Sequence, residues 1–244
     1  MNKITIFTDG SSRGNPGPGG WGAIAVYPNA SGEMKVDELG GREDDTTNNR
    51  MEMMAAISAL GHFDGYYDGF DEYVFNVHTD SSYLINGITK WVKGWSQNNW
   101  MTKTKEQVLN KDLWMHLADI IEDKKVKWIY IAGHSGIPGN ERCDEIATAS
   151  ADQTPITLYK GDLAGYKIDI TNFEGHLLGK KKSSNKERSK AAAYSYVSLV
   201  NGKLHLDKTW KECEARVKGT KGAKYKKALT IEEEKEISRE FLGK

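Results

Sequence analysis

Four acidic side chains are spaced so that each one ends a predicted strand or begins a predicted helix. Asp9 and Asp80 come at the ends of two predicted strands. Glu52 and Asp144 lie in the first turns of two predicted helices. Because strand ends and helix starts often gather at one rim of a sheet, we expect these carboxylates to converge. Crowded carboxylates repel one another unless cations neutralise them, so the spacing indicates a site for hard divalent ions such as Mg²⁺.

Two divalent ions about 4 Å apart are the known arrangement for in-line displacement at phosphorus. Taken singly, each carboxylate has a simpler structural explanation. Asp9 precedes a glycine and suits a turn, and Asp80 suits a helix N-cap. Glu52 and Asp144 would complement a helix dipole. The metal-site prediction therefore depends on the four residues together.

The elements that must position these carboxylates are predicted from hydrophobic periodicity and turn signals. Strands are predicted at residues 3–8, 21–27, 34–39, 73–79 and 127–132, and helices at 50–62, 83–88, 111–124 and from about 140 to 153. A β-meander followed by alternating helices and strands predicts an α/β fold with a mixed sheet covered by helices. Residues 154–178 show no clear period, and they either pack on this domain or belong to a linker.

Charge divides the chain into two parts. All 244 residues together carry no formal net charge. The first 155 hold 14 lysines and arginines against 22 aspartates and glutamates, a net of −8. The remainder holds 20 against 12, a net of +8. We predict a first domain at 1–153, a connecting segment and basic linker at 154–190, and a small α+β domain at 191–244.

The small second domain has its own helix and strand signals. Strands at 194–200 and 203–206 flank an Asn201-Gly202 turn, Thr209 and Glu212 form a capping box for a helix to residue 217, and a last helix covers 231–241. Residues 190–227 contain 10 lysines and arginines against 3 acidic residues. Basic residues interleaved with Trp210 and Tyr225 suit phosphates and sugars. The alternative is that the rings form a core and the lysines a solvated face.

Several classes of protein are disfavoured by composition. No run approaches the roughly 18 apolar residues of a membrane helix, and the first nine residues form a strand pattern instead of a signal peptide. Two cysteines, Cys143 and Cys213, are too few for a disulfide scaffold. We expect a soluble, cytoplasmic, monomeric protein with no membrane and no obligate protein partner.

Four motifs now become recognisable as a set. They are Thr8-Asp9-Gly10-Ser11 with Gly14-Asn15-Pro16-Gly17, Thr47-Asn48-Asn49-Arg50-Met51-Glu52, Thr79-Asp80-Ser81, and Gly133-His134 with Gly139-Asn140-Glu141 and Cys143-Asp144. Over residues 3–153 the chain resembles ribonuclease H of type 1. The resemblance implies a five-stranded mixed sheet flanked by helices. It also implies Mg²⁺-dependent endonuclease hydrolysis of the RNA strand of RNA/DNA hybrids, leaving 5′-phosphate and 3′-hydroxyl ends.

The resemblance also implies roles for individual residues. Asp9, Glu52, Asp80 and Asp144 match the metal-binding carboxylates, which hold two Mg²⁺ ions or Mn²⁺ as a substitute, with Asp9 touching both. His134 matches a loop histidine that assists proton transfer or product release. Asn15, Asn48 and Asn49 match contacts to the RNA strand. Ser11 and Thr47 suit phosphates, because short hydroxyl groups and nearby backbone N–H groups bind them readily. Helix capping is the rival explanation for Asn48 and Asn49.

The tryptophan-rich segment 89–100 resembles the family's basic protrusion, which grips the DNA strand. We expect Trp95 and Trp100 to stack on sugars, Lys90 and Lys93 to meet phosphates, and Trp91 to belong to the core. Residues 96–99 are neutral where the family has basic residues. A neutral protrusion releases fewer counterions and binds less tightly.

The second domain is similar to the hybrid-binding domain of eukaryotic ribonucleases H and to viroplasmin domains. Trp210, Tyr225, Lys226 and Lys227 match the DNA-strand contacts of those domains, and the backbone N–H groups near Gly222 would reach 2′-hydroxyls. Two other function classes stay open: a hybrid or duplex-RNA binder whose nuclease fold is silent, and a transposase- or integrase-like DNA enzyme. The four carboxylates disfavour the first, and the Asn48-Asn49 pair disfavours the second.

Overall fold

The protein is described by a computed structural model that covers residues 2–64, 73–133, 135–170, 192–200, 202–220 and 222–242. The chain divides into two compact units, Met1–Lys180 and Lys181–Lys244. Within the described ranges, no helix has the length and apolar character needed to cross a membrane.

The first unit is built on a six-stranded mixed sheet. Its strands are β1 (Asn2–Ser12), β2 (Gly17–Pro28), β3 (Met34–Thr46), β4 (Tyr73–Thr79), β5 (Lys125–Tyr130) and β6 (Lys160–Asp162), in the spatial order β5-β4-β1-β2-β3-β6. The first three strands form an antiparallel meander, whereas β4 is parallel to both β1 and β5. The mixed α/β fold is confirmed, but the sheet has one strand more than the five expected. The sixth, β6, pairs antiparallel with β3 and comes from the segment that showed no period, because a three-residue strand is too short to produce one.

In the described part of the first unit, five α-helices connect and cover these strands: α1 (Asn48–Gly61), α2 (Ser82–Asn86), α3 (Val92–Gln97), α4 (Lys111–Ile121) and α5 (Pro138–Ala151). Thr47 caps α1 by accepting from the Arg50 N–H, as the sequence predicts. The single helix expected at 83–88 is instead a longer run in which a π-helical turn, Gly87–Trp91, joins α2 to α3. A Cβ added at Gly87 would overlap the Trp114 ring, so the glycine lets this turn lie directly on the indole.

Two apolar cores lie on opposite faces of the sheet. The larger core joins the sheet to α1 and α4 and contains Phe63, Phe75 and Trp114, all fully buried. The other core joins the sheet to α5 and contains Phe7 and Ile170. Because Ile170 is 1% exposed, residues 154–170 pack on the first unit and are not a free linker.

The second unit is a small α+β domain. It comprises β7 (Ser195–Val200), β8 (Lys203–Asp207), α6 (Trp210–Val217), β9 (Lys224–Ala228) and α7 (Ile231–Leu242), with an antiparallel sheet in the order β8-β7-β9. Both bonds of the predicted capping box are present, since Thr209 N donates to Glu212 Oε2 over 3.0 Å and Glu212 N donates to Thr209 Oγ1 over 3.4 Å. Val197, Ala228 and Ile237 form its core. Asn201 of the predicted turn lies outside the described residues, whereas Gly202 has a φ of 75°.

Candidate active site

Three of the four predicted carboxylates converge at one edge of the sheet. Strands β1 and β4 are parallel neighbours in which Thr8 stands opposite Thr79, so the following residues, Asp9 and Asp80, emerge side by side. Glu52 joins them from α1, and one oxygen of each of the three side chains lies within 4.8 Å of the others. Glu52 lies two residues further into its helix than expected, in the second turn instead of the first, since α1 begins at Asn48.

A glycine makes this convergence possible. A Cβ added at Gly10 would stand 2.6 Å from the Met51 carbonyl carbon and would overlap the Glu52 backbone nitrogen. Real Cβ atoms do not approach other atoms so closely. The glycine after Asp9 therefore allows the start of α1 to lie against the end of β1, which brings Glu52 to the cluster.

The electrostatics of the cluster favour a bound cation. Asp9 and Glu52 are each 6% exposed. Burial raises the pKa of Asp9 to about 8, and the charges of Asp80 and Asp144 act in the same direction. The Gly10 N–H, which donates to Asp9 Oδ1 over 2.7 Å, acts in the opposite direction. Burial, together with the smaller effect of the negative charges of Asp9 and Asp80, also raises the pKa of Glu52 well above its ordinary value. Glu52 Oε2 is buried without a hydrogen-bond partner among the described residues, so a hard divalent cation fits this oxygen-only donor set.

The fourth carboxylate contributes charge from slightly further away. Asp144 lies on α5, is half-buried, and is not part of the group within 4.8 Å, although its negative charge acts on both Asp9 and Glu52. The loop after β5 runs against the cluster, because a Cβ at Gly133 would overlap Asp80 Oδ2. His134 lies outside the described residues, so its role stays a prediction.

The predicted RNA contacts lie next to Glu52. Asn15 Oδ1 accepts from the Asn48 N–H over 3.1 Å, which fastens the β1–β2 loop to the start of α1. Asn48 Nδ2 donates to Glu52 Oε1 over 3.4 Å. Thr47 precedes both as the helix cap. The structure thus gives Thr47 and Asn48 structural roles at the mouth of the acidic site, while Asn49 is exposed there.

Ser11 is held by a bridge between β1 and α5. Its Oγ accepts from Arg13 Nη1 over 3.0 Å, and the same guanidinium forms two bonds of 2.5 and 2.6 Å to Asp152. Arg13 Nη2 also donates to the Thr148 carbonyl near the end of α5. Ser11 is therefore fixed beside the site by neighbours that the sequence analysis did not single out.

The protrusion differs in part from expectation. Lys90 and Lys93 are exposed, as phosphate contacts must be. Trp95 and Trp100 are only partly exposed, because both pack against the main core. The expectation that Trp91 belongs to the core is wrong: it is 38% exposed and contacts the Trp95 ring with centroids 5.6 Å apart.

Aromatic side chains form an exposed row in the second unit. Trp210 and Tyr225 are 39% and 53% exposed, with ring centroids 5.3 Å apart. Side chains alternate along a strand, so Lys227 shares the Tyr225 face of β9 while Lys226 points to the other face. Of the residues predicted to contact DNA, Tyr225 and Lys227 therefore share one face of β9, and Lys226 lies on the other.

The structure also shows a polar cluster that sequence reasoning missed. Glu38 on β3 is 5% exposed and binds Arg142 of α5 through two hydrogen bonds of 2.8 and 2.9 Å. Two adjacent acids, Asp37 and Glu38, between the apolar Val36 and Leu39 of one strand were the available signal, because acids that become buried need partners.

A buried carboxylate cluster at the strand ends of a mixed α/β sheet is a site of the kind that holds divalent ions in nucleases and other phosphoryl-transfer enzymes. Residues 1–152 match the family described as RNase H, and the chain belongs to that family. Residues 208–234 match the family described as Ribonuclease H1 N-terminal domain, which here follows the nuclease instead of preceding it.

Individual relatives agree with the family assignment. The chain is 50% identical over 147 residues to ribonuclease H of Maricaulis maris, a match that covers 60% of this chain and 92% of the relative. It is 45% identical over 159 residues to ribonuclease H of Geotalea uraniireducens, covering 65% and 97%. Among solved structures, LC9-RNase H1 is similar with a TM-score of 0.56 and 26% identity, covering 66% of this chain and 78% of that one.

Proposed function

We propose that this chain is an endonuclease that hydrolyses the RNA strand of RNA/DNA hybrids and leaves 5′-phosphate and 3′-hydroxyl ends. The observation that carries the proposal is the convergence of Asp9, Glu52 and Asp80, with oxygens within 4.8 Å, at a buried sheet edge. Membership of the RNase H family supports the substrate class. A cytoplasmic location and a monomeric state stay predictions.

The carboxylates are proposed to hold two Mg²⁺ ions, with Mn²⁺ as a substitute. Asp9, Glu52 and Asp80 would hold them, and Asp144 would complete the second position from α5. When bound, the ions supply an activated water and stabilise the leaving oxygen. The chain's own contribution is to keep several negative charges buried and close together, which makes the site selective for divalent cations.

Recognition of the RNA strand is proposed for the polar side chains beside Glu52. An amide both donates and accepts, so Asn15, Asn48 and Asn49 suit base edges and the 2′-hydroxyl that distinguishes RNA from DNA. Because Asn48 also donates to Glu52, a bound ribose would be placed next to the acidic cluster. Ser11 and Thr47 are proposed to meet the flanking phosphates, and His134 to assist proton transfer or product release.

The second unit is proposed to bind the same hybrid. The Trp210–Tyr225 pair presents exposed rings for sugars or bases, and Lys227 adds a cation on the same face. Lys226 would meet phosphates only at the rim of this surface. The protrusion, with Lys90, Lys93, Trp95 and Trp100 but no charge at residues 96–99, binds the hybrid weakly, so a tethered second site raises the overall affinity.

The direct test of the proposed function uses labelled RNA/DNA hybrid, duplex RNA and duplex DNA, each with Mg²⁺ and with chelator. We expect cleavage of the hybrid's RNA strand only, dependent on Mg²⁺ and lost in Asp9→Asn. Asp37→Asn is the matched control, since it removes a buried carboxylate far from the cluster. Hybrid binding without cleavage would favour the silent binder, and cleavage of duplex DNA would favour the integrase-like class.

The second unit is tested by two equally exposed residues on opposite faces of its sheet. Tyr225→Ala should weaken hybrid binding by about 1–3 kcal/mol, the usual contribution of one stacked aromatic side chain. Leu206 is 52% exposed on the other face, so Leu206→Ala should change the dissociation constant less than about twofold. Equal effects of the two substitutions would refute a specific surface.

A further inference from the structure

Both carboxylate oxygens of Glu38 are fully used. Oε1 accepts from Arg142 Nε over 2.8 Å and from the Tyr166 hydroxyl over 2.6 Å. Oε2 accepts from Arg142 Nη2 and from the Tyr159 N–H, both over 2.9 Å. Burial favours a higher pKa for Glu38, but the bonds from Arg142, Tyr166 and Tyr159 outweigh it and lower that pKa.

Residues 154–170 complete this cluster. Arg142 Nη2 also donates to the Thr157 carbonyl over 2.9 Å, and the Glu38 N–H donates to the Tyr159 carbonyl over 2.8 Å. The Tyr159 and Tyr166 rings pack with centroids 5.0 Å apart. A buried ion pair is stable only when further hydrogen bonds satisfy its remaining atoms, and this segment supplies them.

The cluster fixes the position of α5 on the sheet. On the sheet side, the helix backbone approaches two glycines: a Cβ at Gly22 would stand 3.1 Å from Ala147 N, and one at Gly20 would stand 2.5 Å from Ala151 N. Glu38 stands level with Phe7, two residues before Asp9 along the sheet, and its two hydrogen bonds from Arg142 hold the same helix there. Asp144 follows Arg142 by two residues on the same helix, so a displacement of Arg142 also displaces Asp144.

The same segment borders the space in front of Asp144. An open groove of about 430 Å³ is lined by Asp144 and Thr148 of α5 and by Thr154, Pro155 and Ile156. The extension beyond the family match at residue 152 therefore both anchors α5 and shapes the surface next to the fourth carboxylate.

We propose that Glu38 is a positioning residue that, through Arg142, sets Asp144 for metal binding, and that residues 154–170 belong to the catalytic unit. This inference rests on the proposed function. Its physical basis is that Asp144 stands outside the tight group of three, so its contribution depends on where α5 is held. Small displacements of a reacting group are costly for catalysis.

The test compares Glu38→Gln and Tyr166→Phe with Asp37→Asn in the full chain. Asp37 adjoins Glu38 but points to the other face, where it accepts from Tyr27 over 3.0 Å and lies 2.9 Å from His62 Nε2. Glu38→Gln should lower kcat about tenfold, the scale of sub-ångström misplacement, with KM for hybrid within about twofold. It should also raise the Mg²⁺ concentration for half-saturation, measured by calorimetric titration without substrate, by about fivefold. Tyr166→Phe should act in the same direction with a smaller effect, and Asp37→Asn should change neither quantity.

A merely structural role predicts a different result. Glu38→Gln would then lower the free energy of unfolding but leave Mg²⁺ half-saturation and kcat of the folded protein unchanged, which would overturn the proposal. If that variant does not fold, Tyr166→Phe decides by the same two readouts. In an Asp144→Asn background, the effect of Glu38→Gln on Mg²⁺ binding should vanish. Wild-type protein that binds Mg²⁺ but leaves hybrid intact would refute the proposed function only. The calorimetric Mg²⁺ titration would still test whether Glu38 affects metal binding.

Discussion

Replacing Asp9 by Asn should stabilise the metal-free protein. The pKa of Asp9 is about 8 in the fold against an ordinary value of 3.8, so between those values the folded state keeps a proton that the unfolded chain releases. The folded state therefore binds more protons, and the free energy of unfolding falls as pH rises, by about 1.4 kcal/mol per pH unit. From pH 4 to pH 7 the loss amounts to at most about 4 kcal/mol.

Asparagine has nearly the same shape and no proton to lose, so Asp9→Asn escapes this penalty. In chelator at pH 7 we expect it to exceed wild type by up to about 4 kcal/mol, which corresponds to a rise of about 2 M in the urea midpoint. At pH 5 the difference should shrink to about 1.5 kcal/mol. Urea titrations followed by circular dichroism at both pH values measure it. Added Mg²⁺ should stabilise wild type more than the variant, because ligand that binds only the folded state adds to its stability.

The matched control is Asp37→Asn, which removes a buried carboxylate that has partners. Replacing the carboxylate by an amide weakens its bonds to Tyr27 and His62 and should lower the free energy of unfolding by about 1–3 kcal/mol. An Asp9→Asn protein that is no more stable than wild type at pH 7 without divalent ions would refute the electrostatic reasoning. An advantage that did not shrink at pH 5 would do the same.

Two further predictions concern local structure. Gly10→Ala should push the start of α1 away from β1, because its Cβ would overlap the Glu52 backbone. We expect the free energy of unfolding in urea to fall by about 1–3 kcal/mol and hybrid cleavage to fall with it. Gly94→Ala is the control: it has nothing within 4 Å and should be neutral or slightly stabilising. Thr209→Ala should remove the capping box of α6 and lower the stability of the second unit by about 1 kcal/mol. Hydrogen exchange of the α6 amides measures this loss. Unchanged exchange would show that packing alone stabilises the helix.

The sequence alone predicted the parts of the fold that depend on periodicity and capping. The β-meander, the strand at Tyr73–Thr79 and the capping box at Thr209 are local patterns, and the structure contains them. The convergence of Asp9, Glu52 and Asp80 was also predictable, because parallel strand ends meet at one edge.

Features that depend on distant partners were not predictable. Strand β6 exists because β3 offers it hydrogen bonds, and its three residues carry no period of their own. Trp91 was assigned to the core on hydrophobicity, yet the π-helical turn ends at that residue and leaves it exposed. Glu38 was overlooked because its partners, Arg142 and Tyr166, are more than 100 residues away.

Strand β6 has a consequence for how the protein behaves in solution. The match to the RNase H family ends at residue 152, so a chain cut there would lack β6 and leave the outer side of β3 unpaired along Lys35 to Asp37. An open strand edge is a template on which another chain can add. The short strand β6 covers this stretch of the β3 edge, and we expect chains that end at residue 152 to self-associate more readily than the full chain at equal concentration.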